Sequence, residues 1–291
     1  MEKIDKIYDD IRQLRIQGAT HVALTVLDAL QQTLHTTPDI SHDELHEIGI
    51  RLSFARPTEP LAQNAVRYIF KDANIAANMS HYKTYIEEGK QSIPQHGESI
   101  LKDGGVYLTL CHSSTTVALF ANGRRHGAMF SLYVAETRPL YQGRTTAKEL
   151  LAAGFDDVTM VIDDVAVAIV EGRKGAIDAI FIGADMLNAN GFANKIGSLA
   201  LSMAAEIRSV PVYIVTTLLK FDPRTYDPSL IEQRDPSEIW QDAPKGLKFY
   251  APAFDYVPYR PHISIVSEAG ITPSTDIKHT AITQYPFLTH I

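Results

Sequence analysis

The sequence contains one cysteine, Cys111, and one tryptophan. A lone cysteine excludes an intramolecular disulfide and a cysteine-built metal centre. No apolar run approaches the roughly 20 residues that cross a bilayer, so no membrane association is expected. The opening stretch MEKIDKIYDDIRQLRIQG is charged throughout and lacks a signal-peptide core, which makes the cytoplasm the expected location. A formal net charge of −7 argues against a general nucleic-acid binder. No GxGxxG follows a strand-like run, so no dinucleotide is indicated. The absence of GxSxG leaves a serine hydrolase unsupported. No His/Asp/Glu group has ligand spacing, so neither a metal nor another cofactor is called for. Tandem repeats and low-complexity segments are also absent.

What is present is an ordinary globular composition, 45% hydrophobic and 21% charged, over 291 residues. That length supports a large core and one or two domains. Up to about residue 95 the apolar residues follow helical spacing, as in Ile4, Ile7, Tyr8, Ile11 and Leu14. Further helices are expected over HVALTVLDALQQTL, Ser41 to Phe54, LAQNAVRYIFKDAN, and Asn78 to Glu88. After Gly104-Gly105 the pattern changes. Short apolar runs at 106–111, 130–136, 158–163, 179–184 and 210–217 alternate with helical stretches. KFYAPAF and HISIVSE are later strand candidates. The expected fold is α/β: an N-terminal helical domain, residues 1–95, followed by a Rossmann-like, mainly parallel α/β/α sandwich, residues 96–291.

Polar chemistry collects where these strands end, which is where open α/β sheets bind ligands. AIFIGAD ends in Asp185; the NANG turn follows, and then NKIGS, where Asn194 is positioned to cap a helix with Lys195 in its first turn. A capped turn with solvated polar residues is the plainer reading of that stretch. Cys111 ends the first strand and HSSTT opens the next helix, a natural phosphate cradle. Cys111 there is an acid if protonated, a nucleophile if ionised, or an inert core thiol. ETRPLYQGR offers Glu136, Arg138 and Gln142, a set suited to a sugar phosphate, or a surface ion pair before a helix. Asp163 and Asp164 read as helix caps. Lys220 follows a strand, and Arg15, Arg56 and Arg67 are further candidate anion contacts.

These motifs carry a resemblance over nearly the whole chain. GADMLNANG (183–191), NKIGS (194–198), ETRPLYQG (136–143) and CHSS (111–114) resemble the superfamily of methylthioribose-1-phosphate isomerase, ribose-1,5-bisphosphate isomerase and the regulatory subunits of initiation factor 2B. ARPTEPLAQNAVRYIF (55–70) and QRDPSEIW (233–240) are most similar to the ribose-bisphosphate branch. The resemblance implies an aldose–ketose isomerase converting ribose 1,5-bisphosphate to ribulose 1,5-bisphosphate, a nucleotide-salvage step. Methylthioribose 1-phosphate or another 5-deoxypentose 1-phosphate is the alternative substrate. A non-catalytic initiation factor 2B-like subunit is the alternative from another class.

The resemblance also implies Cys111 and Asp185 as the catalytic pair. Gly18, Ala19, Arg56, Ser113, Arg138, Gln142, Asn194, Lys195 and Lys220 are the implied substrate-binding residues. It further implies a homo-oligomer, a dimer or a hexamer built as a trimer of dimers; a nucleotide activator is the remaining question of partners. The chain departs from the family pattern at Gln17, where arginine is usual, and at Leu110, where histidine is usual before the cysteine. FDYVPY and SEAGIT are further departures.

Overall fold

The computed structural model describes residues 2–172 and 177–289. Five helices come first: α1 (Glu2–Arg12), α2 (Ala19–Thr36), α3 (His42–Ser53), α4 (Pro60–Ile69) and α5 (Ile75–Gly97). The start of α3 is fixed by a capping box. Ser41 Oγ accepts the Glu44 N–H, and the Ser41 N–H donates to the Glu44 carboxylate at 2.9 Å. Pro60, with its preset φ, opens α4. This helix is buried nearly all round, polar residues included, so its amides need partners. Asn64 finds them by donating to the carbonyls of Leu219, at 2.7 Å, and Phe221, at 2.9 Å. Those two bonds pin α4 to the loop that carries Lys220.

Strands and helices then alternate as the sequence pattern predicts. The strands of the main sheet are β1 (Val106–Leu110), β2 (Ser131–Ala135), β3 (Val158–Val161) and β4 (Ala179–Ile182). The hairpin strands β5 (Met186–Leu187) and β6 (Gly191–Lys195) come next, followed by β7 (Val212–Val215), β8 (Phe254–Pro258), β9 (Ile263–Ser267) and β10 (Gly270–Pro273). The interleaved helices are α6 (Ser114–Arg125), α7 (Gln142–Ala152), α8 (Asp163–Val170) and α9 (Ser198–Arg208), with α10 (Ile277–Gln284) last. Seven strands form one sheet in the order β10-β9-β7-β4-β1-β2-β3, parallel except for β10. Side chains alternate between its two faces, as the period of a strand requires. Tyr107 and Phe181 pack with Phe120 and Phe130 on one face, while Leu108, Leu110, Ile180 and Ile182 join the core on the other.

From β1 the chain winds outward through β2 and β3. It then returns to the other side of β1 with β4 and winds the opposite way. The direction of winding therefore reverses between β1 and β4, and a crevice opens beyond their carboxyl ends. Leu110 of β1 is in register with Ile182 of β4. Cys111 and the Gly183–Asp185 segment thus leave the sheet side by side.

Three local expectations are corrected. The fifth helix is longer than Asn78 to Glu88, running from Ile75 to Gly97 with Pro94 inside it and packing on α6 and β9. KFYAPAF is mostly irregular, and the strand begins only at its last residue, Phe254. Asn194 and Lys195 lie on strand β6, not on a helix start, because the NANG turn closes a β-hairpin. Asn188 Oδ1 forms that turn by accepting the N–H groups of Asn190 and Gly191. Among the described residues no helix is long and apolar enough to cross a membrane.

Candidate active site

Cys111 follows β1 with φ 71°, in the left-handed region that a non-glycine residue rarely adopts. Neighbouring hydroxyls hold it there. Its N–H donates to Thr137 Oγ1 at 2.8 Å, and its carbonyl accepts the Thr146 hydroxyl at 2.8 Å. Thr137 is fully buried and itself has φ 67°. The carboxylate of Asp163 accepts the N–H of Thr137 at 2.8 Å and that of Arg138 at 2.7 Å. Asp163 therefore spends its side chain on the loop after β2, not on a helix cap. The chain of contacts from Asp163 through Thr137 to Cys111 ties the ends of β1, β2 and β3 together.

The thiol is desolvated. Burial pushes its pKa up to about 11; nearby Lys195 lowers it and Asp185 raises it. A pKa raised in this way favours the protonated thiol at neutral pH, the form in which Cys111 could act as an acid. Asp185 is half-buried, and its N–H donates to the Ala193 carbonyl of β6 at 2.8 Å. Ser113 caps α6 through its hydroxyl, which accepts the Thr116 N–H. Close approach is built into this end of the sheet: a Cβ on Gly183 would stand 3.0 Å from that of Ser113.

The cations are unequally free. Lys195 is 8% exposed and its ammonium lies 5.2 Å from the centre of the Phe254 ring. Lys220 donates to the Ala184 carbonyl at 2.6 Å; burial lowers its pKa, opposed by Asp185, Glu59 and Glu268. Arg56, 7% exposed, is held by Glu59 at 2.5 Å and by Glu232 at 3.2 Å. Burial acts to lower its pKa, but Glu59, Glu232 and Asp185 together raise it. Arg138 donates to the Ile239 carbonyl at 3.2 Å and lies over the Tyr141 ring. Gln142 opens α7 with its Oε1 buried and unpartnered.

Of the residues singled out in the sequence, Cys111, Asp185, Lys195, Lys220 and Arg56 fall within one electrostatic cluster. Ser113 packs against its edge at Gly183. Asn194 donates to Ser198 Oγ at 2.8 Å, bracing the start of α9 from within β6. That helix is capped instead by Asp255, whose carboxylate accepts the N–H groups of Gly197 and Leu199. Gly18, with φ 85°, and Ala19 open α2, and no hydrogen bond among the described residues joins them to the cluster. Arg15 pairs with Asp10 and is exposed.

Sequence reasoning passed over Thr137 and Thr146, took Asp163 only for a cap, and missed Glu59. No group of three or more His, Cys, Asp or Glu among the described residues is arranged to hold a metal ion.

The chain is similar to known proteins in sequence and in fold. A ribose 1,5-bisphosphate isomerase from Methanocaldococcus jannaschii is 29% identical, over 94% of this chain and 92% of that one. A methylthioribose-1-phosphate isomerase from Exiguobacterium sibiricum is 31% identical, over 93% and 85%. The translation initiation factor eIF-2B of Pyrococcus horikoshii superposes with a TM-score of 0.80 at 21% identity, covering 94% of this chain and 98% of that one. Residues 15–274 match the model of the initiation factor 2 subunit family, and the chain belongs to that family.

Proposed function

We propose that the chain is an aldose–ketose isomerase of phosphorylated pentoses, converting ribose 1,5-bisphosphate to ribulose 1,5-bisphosphate. The observation that carries this reading is the placement of Cys111, its thiol desolvated and its backbone left-handed, at a strand end next to the segment that carries Asp185. A sugar phosphorylated at carbon 1 cannot open spontaneously to a free aldehyde. Its ring oxygen must be protonated while carbon 1 still bears the phosphate. A desolvated thiol is suited to deliver that proton as the ring C–O bond breaks. Asp185 then takes the hydroxyl proton at carbon 2 while hydrogen passes from carbon 2 to carbon 1. Return of the proton from Asp185 to the thiolate restores the site, so atoms and charge balance. A non-catalytic regulatory role would leave this pairing of acid and carboxylate without a purpose.

Two observations favour methylthioribose 1-phosphate as a second reading. Arg56 is already neutralised by two carboxylates, and Gln17 is exposed and uncharged. Both features reduce the positive charge available to a second phosphate.

The deciding experiment follows ketose formation by purified protein with each sugar phosphate. The bisphosphate is expected to lead by at least about 100-fold in kcat/KM. A lead for methylthioribose 1-phosphate would transfer the assignment to the second reading; no turnover of either would refute the isomerase. Cys111→Ser and Asp185→Asn should each lower turnover by at least about 100-fold. Adding adenosine monophosphate to the same assay tests for a nucleotide activator. A homo-oligomer, at least a dimer, is part of the proposal, and light scattering that finds a monomer would contradict it.

A further inference from the structure

Glu59 lies immediately before α4, in the turn between Thr58 and Pro60. It is 2% exposed, which is unusual for a glutamate. One carboxyl oxygen meets Arg56 at 2.5 Å; the other, Oε2, is buried without a hydrogen-bond partner. The hydroxyl of the adjacent Thr58 is likewise buried and unpartnered. Buried polar groups are nearly always paired, so two orphans in succession require an explanation. The Glu59 orphan is not a remote packing defect. Glu59 interacts electrostatically with Arg56, Asp185, Lys220 and Glu232, and so faces the cluster that contains the proposed catalytic carboxylate.

We propose that Glu59 is a further substrate-binding residue of this site, its Oε2 taking a hydrogen bond with a hydroxyl of the bound sugar. The proposal rests on the isomerase reading for the identity of the sugar. A hydroxyl fits where a phosphate does not: Asp185 and Glu232 already repel added negative charge there, and Arg56 is occupied. Burial raises the Glu59 pKa, with Arg56 and Lys220 lowering it and Asp185 and Glu232 raising it. A hydroxyl that donates to Oε2 favours the ionised carboxylate against that shift, so sugar binding should release protons from Glu59.

The test uses full-length Cys111→Ser protein, in which binding is separable from turnover, titrated calorimetrically with ribose 1,5-bisphosphate and with methylthioribose 1-phosphate. Repeating the titration in two buffers of different ionisation enthalpy reads the protons exchanged. Adding Glu59→Ala should weaken binding about tenfold. Adding Glu59→Gln, which keeps a hydrogen-bonding group, should restore most of the affinity yet abolish the part of the proton exchange due to Glu59. Should Glu59→Ala fail to fold, shown by circular dichroism, the proton exchange of Glu59→Gln carries the test. Affinity and proton exchange unchanged in Glu59→Gln would overturn the proposal, as would failure of the Cys111→Ser protein to bind either sugar phosphate. If the wild type turns over neither sugar but Glu59-dependent binding is seen, Glu59 keeps its role and the isomerase reading falls. If turnover is seen and the Glu59 variants behave as their parent, the reverse holds.

Discussion

Thr137 Oγ1 accepts the backbone N–H of Cys111 at 2.8 Å while its own hydroxyl donates to the Ala135 carbonyl at 3.1 Å. One buried hydroxyl thus bridges the ends of β1 and β2 and holds Cys111 in a conformation that costs on the order of 1–3 kcal/mol. Thr137→Val keeps the shape and removes both bonds. It leaves a buried N–H unpaired, so a loss of about 1–3 kcal/mol in unfolding free energy is expected, measured by urea denaturation. Turnover should fall at temperatures where the variant is fully folded, because Cys111 is no longer held. A folded variant with wild-type turnover would show that this bridge does not position the thiol.

Gly143 lies in the first turn of α7, against the end of β2. A Cβ built there would stand 1.8 Å from the Ala135 carbonyl oxygen. The obstacle is backbone, which cannot rotate away as a side-chain tip would. Gly143→Ala must push α7 outward, and with it Thr146, whose hydroxyl bonds the Cys111 carbonyl. A destabilisation of about 3 kcal/mol or more is expected from such overpacking, read as a lower denaturation midpoint. A midpoint matching the wild type would mean the loop yields without cost.

Much of this was legible from periodicity. Short apolar runs alternating with helical stretches specified a mainly parallel sheet, and a strand that ends in a polar residue directs that residue to the sheet's edge. That pattern places Cys111 and Asp185 at strand ends; their pairing as catalytic residues is what the family resemblance implies. Their adjacency depends on the order of strands, because β1 and β4 become neighbours only when the winding reverses, and no local pattern encodes that. Asn194 and Lys195 were misplaced onto a helix because NKIGS offers capping chemistry; the cap is Asp255, far along the chain on β8. Glu59 was hidden for a related reason. In ARPTEP a glutamate between threonine and proline reads as an exposed turn residue, and its burial comes from Arg56, Glu232 and the packing of α4. Asp163 also looked local, yet its partners are Thr137 and Arg138, across the sheet edge.

The protonated thiol gives the final prediction. Burial raises the Cys111 pKa to about 11, and Asp185 adds to the shift while Lys195 opposes it. At pH 8 about one thiol in a thousand is then ionised, against roughly a quarter for an unperturbed cysteine of pKa about 8.5. Iodoacetamide alkylates the thiolate, so Cys111 in the folded protein should react at least about 100-fold more slowly than in the denatured chain. The rate should keep climbing nearly tenfold per pH unit towards about pH 11, as measured by mass spectrometry of the intact protein. Linkage fixes the sign of the effect on stability. The unfolded chain releases the thiol proton at lower pH than the folded protein. Stability from the buried neutral thiol is therefore present in full only below the unfolded pKa of about 8.5 and is lost as pH rises from there through about 11. Cys111→Ser should lack that loss, so its stability relative to wild type should improve across this window. If alkylation instead levels off near pH 8, the thiol ionises in the ordinary range. Cys111 would then serve as a thiolate, and its assignment as the acid that opens the sugar ring would fall.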